Sequence, residues 1–149
     1  MRTAEMLIQA ARDAAAFAHA PYSRFAVGAA ILLEDGSIVT GTNFENASYG
    51  LSLCAETVAL ATASAQGRLR EVVAIGVIGG MIGADGTVTG TKPVGPCGRC
   101  RQVLNEAAQM GGRDLIVWCG AGEGDAVEEY RLSELLPKAF GPADLGIGV

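Results

Sequence analysis

Several things are scarce in this sequence of 149 residues. Aromatic residues make up only 5%, there is one histidine, and cysteine occurs four times. No run of about 18 apolar residues occurs, so a membrane-spanning helix is not expected. The start, Met1-Arg2-Thr3-Ala4-Glu5, lacks the charged-then-apolar pattern of a secretory leader. A cytoplasmic protein is the expectation, and four cysteines in that compartment point to metal or redox chemistry before disulfides. Basic runs are missing too. The formal net charge is −5, and a protein that grips a polyphosphate backbone carries a basic patch or stripe. A nucleic acid polymer is therefore set aside as the main ligand. Charged residues are only 18% against 50% hydrophobic, which excludes disorder. No linker, repeat or low-complexity tract divides the chain, so residues 1–149 read as one domain.

What is present is an alternation of helical and strand patterns. Thr3 to His19 is predicted as an Ala-rich helix, with Met6, Leu7, Ala10, Ala14 and Phe17 at helical spacing and Pro21 beyond its end. Ala26–Leu33 and Ser37–Asn43 read as an antiparallel pair around Asp35-Gly36. A helix follows Cys54, a strand spans Val72 to Ile78, and a second helix runs from near Cys97 to Gly111. Leu115 to Cys119 is a buried strand, Tyr130 to Leu132 a short one, and Ser133 a cap for a short last helix. Gly79 to Gly95 reads as a flexible loop with a small hairpin at Asp85-Gly86. The pattern predicts a three-layer α/β/α sandwich.

Two segments carry the chemistry: Cys54-Ala55-Glu56 and Pro96-Cys97-Gly98-Arg99-Cys100. A Cys-x-x-Cys pair at a helix start places two sulfurs one turn apart, and Cys54 adds a third. Catalytic zinc sites use three protein ligands and keep the fourth position open. Backbone N–H groups at helix starts favour anionic sulfur, and Pro96 suits such a start because its missing donor would go unused. Glu56, two residues past Cys54, can face the open position without ligating. A water on zinc loses its proton near pH of about 7, and a nearby carboxylate can carry that proton.

The spacing is that of zinc nucleobase deaminases. PYSRFAVGAA (21–30), NFENASYG (43–50), CAE (54–56), PCGRCRQVL (96–104) and LLPKAFGP (135–142) together resemble the cytidine deaminase family. The resemblance implies a five-stranded mixed sheet, one Zn²⁺ per subunit on Cys54, Cys97 and Cys100, and the homotetrameric form. It implies hydrolytic deamination of cytidine and 2′-deoxycytidine in pyrimidine salvage. The pyrimidine is attacked at C4, and Glu56 carries protons to N3 and then to the leaving amine. It assigns Asn43 and Glu45 to the ribose hydroxyls, with Glu45 accepting from the 3′-hydroxyl, Phe25 to stacking on the base, and the Ala55 N–H to the base edge. Ala47, Tyr49 and Phe140 match positions that reach sites across subunit boundaries.

One position departs from the family. Relatives usually carry Arg after Cys-Ala-Glu, where this chain has Thr57. Three thiolates on a divalent ion leave a net negative centre, which an Arg beside the sulfurs would offset. Arg99 or Arg101 could replace it, or Arg99 could point to solvent. Plainer readings remain for the other residues. Cys119 is a core residue or the fourth thiolate of a closed site. Glu56 is a proton carrier or a first-turn acid favoured by the helix dipole. Asn43 and Glu45 bind sugar or shape a turn, and Phe25 stacks or packs. His19, past the first helix, reads as a C-terminal cation. Rival functions are a nucleoside-analogue aminohydrolase sharing the metal site and a non-catalytic zinc module.

Overall fold

The computed structural model describes residues 2–147. Helix α1 spans Arg2–Ala15 and is followed by strands β1 (Phe25–Leu33) and β2 (Ile38–Thr42). Then come α2 (Ala55–Ala65), β3 (Val72–Met81), α3 (Gly98–Gly111), β4 (Ile116–Ala121), β5 (Glu128–Arg131) and the short α4 (Leu132–Leu135). The sheet order is β2-β1-β3-β4-β5. Only β3 and β4 pair in parallel; the other neighbours are antiparallel. The parallel step needs a crossover, and α3 supplies it. The expected five-stranded mixed sheet between helical layers is what forms.

Side-chain alternation along the strands builds a core on each face. On one face Ala30, Ala74, Ile78 and Trp118 meet Leu7, Ile8 and Ala11 of α1. On the other, Ile31, Ile75, Val77, Val117 and Cys119 meet Ala59, Leu60 and Leu104 of α2 and α3. The buried stripe of α1 is Ala4, Leu7, Ile8, Ala11 and Ala15. That corrects the expected stripe: Met6 is 50% and Phe17 84% exposed. The small residues face the sheet because the sheet there is glycine. A Cβ on Gly28 would sit 1.9 Å from the Ala11 carbonyl oxygen, so α1 packs against bare backbone.

Further boundaries differ from expectation. The first helix stops at Ala15, so His19 is not a cap. It lies in extended backbone bridged to Phe44, with the two rings edge-on at 5.8 Å. Ser133 does not cap α4 either; Arg131 is the N-cap, and its N–H donates to Glu134 Oε1 at 2.7 Å. Ser133 instead donates to Asp114 through N–H and Oγ. The segment after Ile78 holds the expected hairpin at Asp85-Gly86 but is tied down elsewhere rather than slack. β3 continues to Met81, Ile82 bridges Val88 around the Asp85-Gly86 turn, and the Thr89 N–H returns to the Met81 carbonyl at 2.9 Å. Its far end is pinned where the Val94 N–H donates to the Gly120 carbonyl at 2.9 Å. The Val94 pair depends on β4, which lies far along the chain.

Candidate active site

Two helix starts converge beside the carboxyl end of β3. Cys54 is the N-cap of α2 and Cys97 the N-cap of α3, both in extended backbone conformation. The first-turn N–H groups of each helix have no intrahelical partner and point toward the cap. Close approach of α2 to the sheet depends on Gly41 of β2, where a Cβ would lie 2.6 Å from both the Ala55 oxygen and the Ala59 nitrogen. No larger residue would let the Cys54 end of α2 come so near.

Cys54, Cys97 and Cys100 place their sulfurs within 4.8 Å of one another, the only such cluster of metal-ligand side chains among the described residues. Cys54 Sγ and Cys97 Sγ are 3.9 Å apart. Tetrahedral zinc with bonds of about 2.3 Å would hold its sulfurs about 3.8 Å apart, so the spacing suits the ion. The donor set suits it as well. Burial pushes the Cys54 and Cys100 thiols up, and a bound cation reverses that preference by favouring thiolate. Cys97 is different. Burial raises it, but the Cys100 backbone N–H and the neighbouring thiols more than offset this and hold it below the usual thiol range. All four cysteines are free. Cys119 stays out of the cluster, packed in the core with its thiol pushed up to about 11 by burial. A closed four-thiolate site is thereby excluded among the described residues.

Glu56 is 3% exposed and lines the same cavity as Cys54 and Cys97. Burial raises its pKa, against the pull of its own backbone N–H and the Cys100 thiol. A carboxyl raised in this direction holds a proton more readily than a free one. Thr57 Oγ1 lies 3.8 Å from Cys100 Sγ, and toward a thiolate the hydroxyl is the donor. Neither arginine takes that place. Arg99 is exposed. Arg101 donates to the Pro96 carbonyl at 2.8 Å and to the Leu135 carbonyl at 3.0 Å, tying the loop before α3 to the end of α4.

The cavity above this cluster is ≈ 410 Å³, within the range of small-ligand sites. Phe25, Asn43, Glu45 and Ala55 all line it. Asn43 is fixed by β1: its Oδ1 accepts from the Val27 N–H at 3.0 Å and its Nδ2 donates to the Phe25 carbonyl at 2.8 Å. One amide hydrogen and one lone pair stay free for a ligand. Glu45 accepts from the Tyr22 and Ser23 N–H groups and from Ser23 Oγ. The Ser23 hydroxyl is the main cause of its lowered pKa. Cys100 is fully buried behind the wall.

Ala47, Tyr49 and Phe140 do not line this cavity. Tyr49 is 72% exposed and borders a neighbouring cavity with Tyr22, Ser23, Glu45 and Ser52. The Phe140 ring is 60% exposed, and its carbonyl accepts from Gln102 and Asn105. Sequence reasoning gave no role to Ser23, Ser52, Val77, Val94 or Gly95, which also line the cavity. Ser23 lies within the PYSRFAVGAA stretch and Gly95 adjoins PCGRCRQVL, and that placement was the available signal. Val77 and Val94 carried none, because an apolar lining residue looks like any core residue.

A mixed α/β/α sheet with three clustered thiols and a buried carboxyl beside them defines a zinc hydrolase architecture. Residues 1–112 match the family model described as the cytidine and deoxycytidylate deaminase zinc-binding region. The chain is 48% identical over 141 residues to the cytidine deaminase of Halalkalibacterium halodurans, covering 95% of this chain and 96% of that protein. It is 46% identical over 141 residues to a cytidine deaminase of Mycobacterium tuberculosis, covering 94% and 91%. Among solved structures, cytidine deaminase from Burkholderia pseudomallei superposes with a TM-score of 0.76 at 44% identity, covering 91% of this chain and 98% of that one. The Mycobacterium tuberculosis enzyme superposes at 0.69 with 42% identity, covering 92% and 96%. The chain belongs to the cytidine and deoxycytidylate deaminase family.

Proposed function

We propose that this protein hydrolyses the 4-amino group of cytidine and 2′-deoxycytidine, giving uridine, 2′-deoxyuridine and ammonia. The observation that carries this reading is the layout of one cavity: Cys54, Cys97 and buried Glu56 line it with Asn43 and Glu45, and Cys100 completes the sulfur cluster behind its wall. Cys54, Cys97 and Cys100 would hold one zinc per subunit, and the ion would supply Lewis-acid activation of water. The residues of the chain do the rest. Phe25 and Val27 give the base an apolar slot. The N–H of Ala55, in the first turn of α2, is free to meet the base edge. Glu56, within the same cavity, takes a proton, delivers it to N3 and then serves the leaving amine. Asn43 offers its free amide hydrogen and Glu45 its free lone pair to sugar hydroxyls.

The lining also selects nucleoside over nucleotide. Its formal charges come from Glu45, Glu56 and the thiols, and it contains no Lys or Arg. A 5′-phosphate would enter a field of its own sign with no cation to pair with. One assay decides the matter. Purified zinc-loaded protein should remove the absorbance of cytidine and deoxycytidine and release ammonia, with deoxycytidylate a poor substrate. No loss with either nucleoside would refute the proposal; turnover of an analogue alone would indicate the related aminohydrolase instead.

We further propose a homotetramer working in the cytoplasm in pyrimidine salvage, with Ala47, Tyr49 and Phe140 reaching subunit boundaries. Supporting this are exposed apolar side chains beside the cavity mouth: Tyr49, Leu51 at 67% and Phe44 at 54%. Four free thiols suit a reducing compartment. Light scattering on the purified protein reads the subunit count directly, and a monomer at micromolar concentration would overturn the assembly.

A further inference from the structure

The turn before β1 joins parts of the site that are far apart in sequence. Ser23 Oγ donates to Glu45 Oε2 at 2.5 Å and accepts the Phe25 N–H at 3.1 Å. The Phe25 carbonyl is in turn held by Asn43 Nδ2. One continuous hydrogen-bonded path therefore runs Glu45–Ser23–Phe25–Asn43. Between Ser23 and Phe25, Arg24 sits at φ 60°, a left-handed conformation unusual for a non-glycine residue. It is held there by its N–H donating to Ala20 and its carbonyl accepting from Ile82. That kink turns the Ser23 hydroxyl back toward both partners. Ser23 itself lines both the main cavity and its neighbour.

The bookkeeping at Glu45 is restrictive. A carboxylate offers about four lone-pair positions. Oε1 takes two N–H groups, from Tyr22 and Ser23, and Oε2 takes the Ser23 hydroxyl. One position on Oε2 is left. We infer that Ser23 is a positioning residue that aims Glu45 at a single sugar hydroxyl and fixes Phe25 in register with it. Discrimination between sugars is then set by the Ser23 hydroxyl as much as by the carboxylate. Without it Oε2 has no partner and the carboxylate is held through Oε1 alone, and the amide of Phe25 loses its acceptor.

This rests on the nucleoside reading above, and its test separates the two. Ser23→Ala, Ser23→Thr and the parent protein are compared on cytidine and 3′-deoxycytidine, with calorimetric binding of uridine and 3′-deoxyuridine in parallel. Ser23→Ala should raise KM for cytidine about tenfold, the scale of one hydrogen bond to a charged group, with kcat little changed. Its preference for the 3′-hydroxyl should shrink by a similar factor, and Ser23→Thr should restore both. A merely structural role would weaken both sugars alike. Unchanged preference in Ser23→Ala, or no preference in the parent, overturns the inference. A parent that binds uridine without turning over cytidine fails as a deaminase, while the uridine affinities still decide the role of Ser23. A parent that binds neither overturns both.

Discussion

The two ends of the cavity are built by different means. The sulfur end is compact, running from buried Cys100 and Glu56 through half-buried Cys54 to exposed Cys97. Two of its four key residues, Cys97 and Cys100, lie one turn apart on α3, and the other two, Cys54 and Glu56, start α2. Helix geometry orders each pair, and only the approach of the two helices is left to the sheet. The sugar end is open and made from turns. Asn43 and Glu45 hang from the segment after β2, and their aim comes from hydrogen bonds to the backbone at Tyr22–Val27. The sulfur end therefore gains its order from two helix starts, while the sugar end depends on a net of individually weak bonds. Loss of one group at the first should halt chemistry; loss at the second should loosen binding.

Glu56→Gln tests that contrast most strongly. Removing the proton carrier should lower kcat by about 10²–10⁴-fold, with KM and zinc content, read by atomic absorption, close to the parent. Comparable turnover by this variant would remove Glu56 from its role. At the open end, Glu45→Ala should act in the opposite register. KM should rise about tenfold to a hundredfold, as expected for a lost bond to a charged acceptor, while kcat falls far less. A collapse of kcat with KM unchanged would erase the distinction between the ends.

Gly41→Ala probes how the sulfur end is assembled. Its added Cβ would strike Ala55 and Ala59 backbone at 2.6 Å, and overpacking of this kind costs about 1–3 kcal/mol. A lower Tm with faster zinc loss to a chelator is expected, because α2 must shift and take Cys54 with it. An unaltered chelation rate would show that α3 alone governs the metal.

Thr57→Val removes the hydroxyl beside Cys100 and should weaken zinc retention by a few-fold, about the worth of one neutral hydrogen bond. Arg99→Ala should leave retention and turnover alone, since Arg99 is exposed. The reverse pattern would restore Arg99 as the source of compensating charge.

The smallest effect lies remote from both ends. In the β1–β2 turn, Asp35 accepts from Ser37 and pairs with Arg68 at 2.8 Å. Its pKa is lowered to about 2 from 3.8, chiefly by the Ser37 hydroxyl. A lowered carboxyl pKa gives stability that is present above pH 3.8 and lost as pH falls toward 2. The Tm gap between the parent and Asp35→Ala should thus be small, constant near neutrality, and close below pH 3.8. A gap that widens with acid would contradict the sign. Turnover should not change.

Much of the molecule was legible before its structure was known. Strand patterns located all five strands within a few residues, the central three because strands covered on both faces read as short, continuous apolar runs. The Cys-Ala-Glu and Pro-Cys-x-x-Cys segments were legible because local helix geometry already sets the relative places of their side chains. The stripe of α1 was misread since its sequence contains two overlapping helical patterns. The choice between them was made by Gly28 and its neighbours on the sheet. In the segment after Ile78 the Asp85-Gly86 hairpin was legible because its partners are local, but the tie of Val94 to Gly120 was not, because β4 lies far along the chain.

Read alone, then, the chain of amino acids settled which residues hold a metal-ligand pattern and where its helices and strands lie, because spacing along a helix or strand is a local matter. The structure decided what faces the sulfurs: Thr57, with Arg101 drawn off to the carbonyls of Pro96 and Leu135. It also decided that Ser23 stands between Glu45 and Phe25. Hydrogen bonds between residues brought together by folding follow distance in space, and no spacing rule in the sequence encodes that distance.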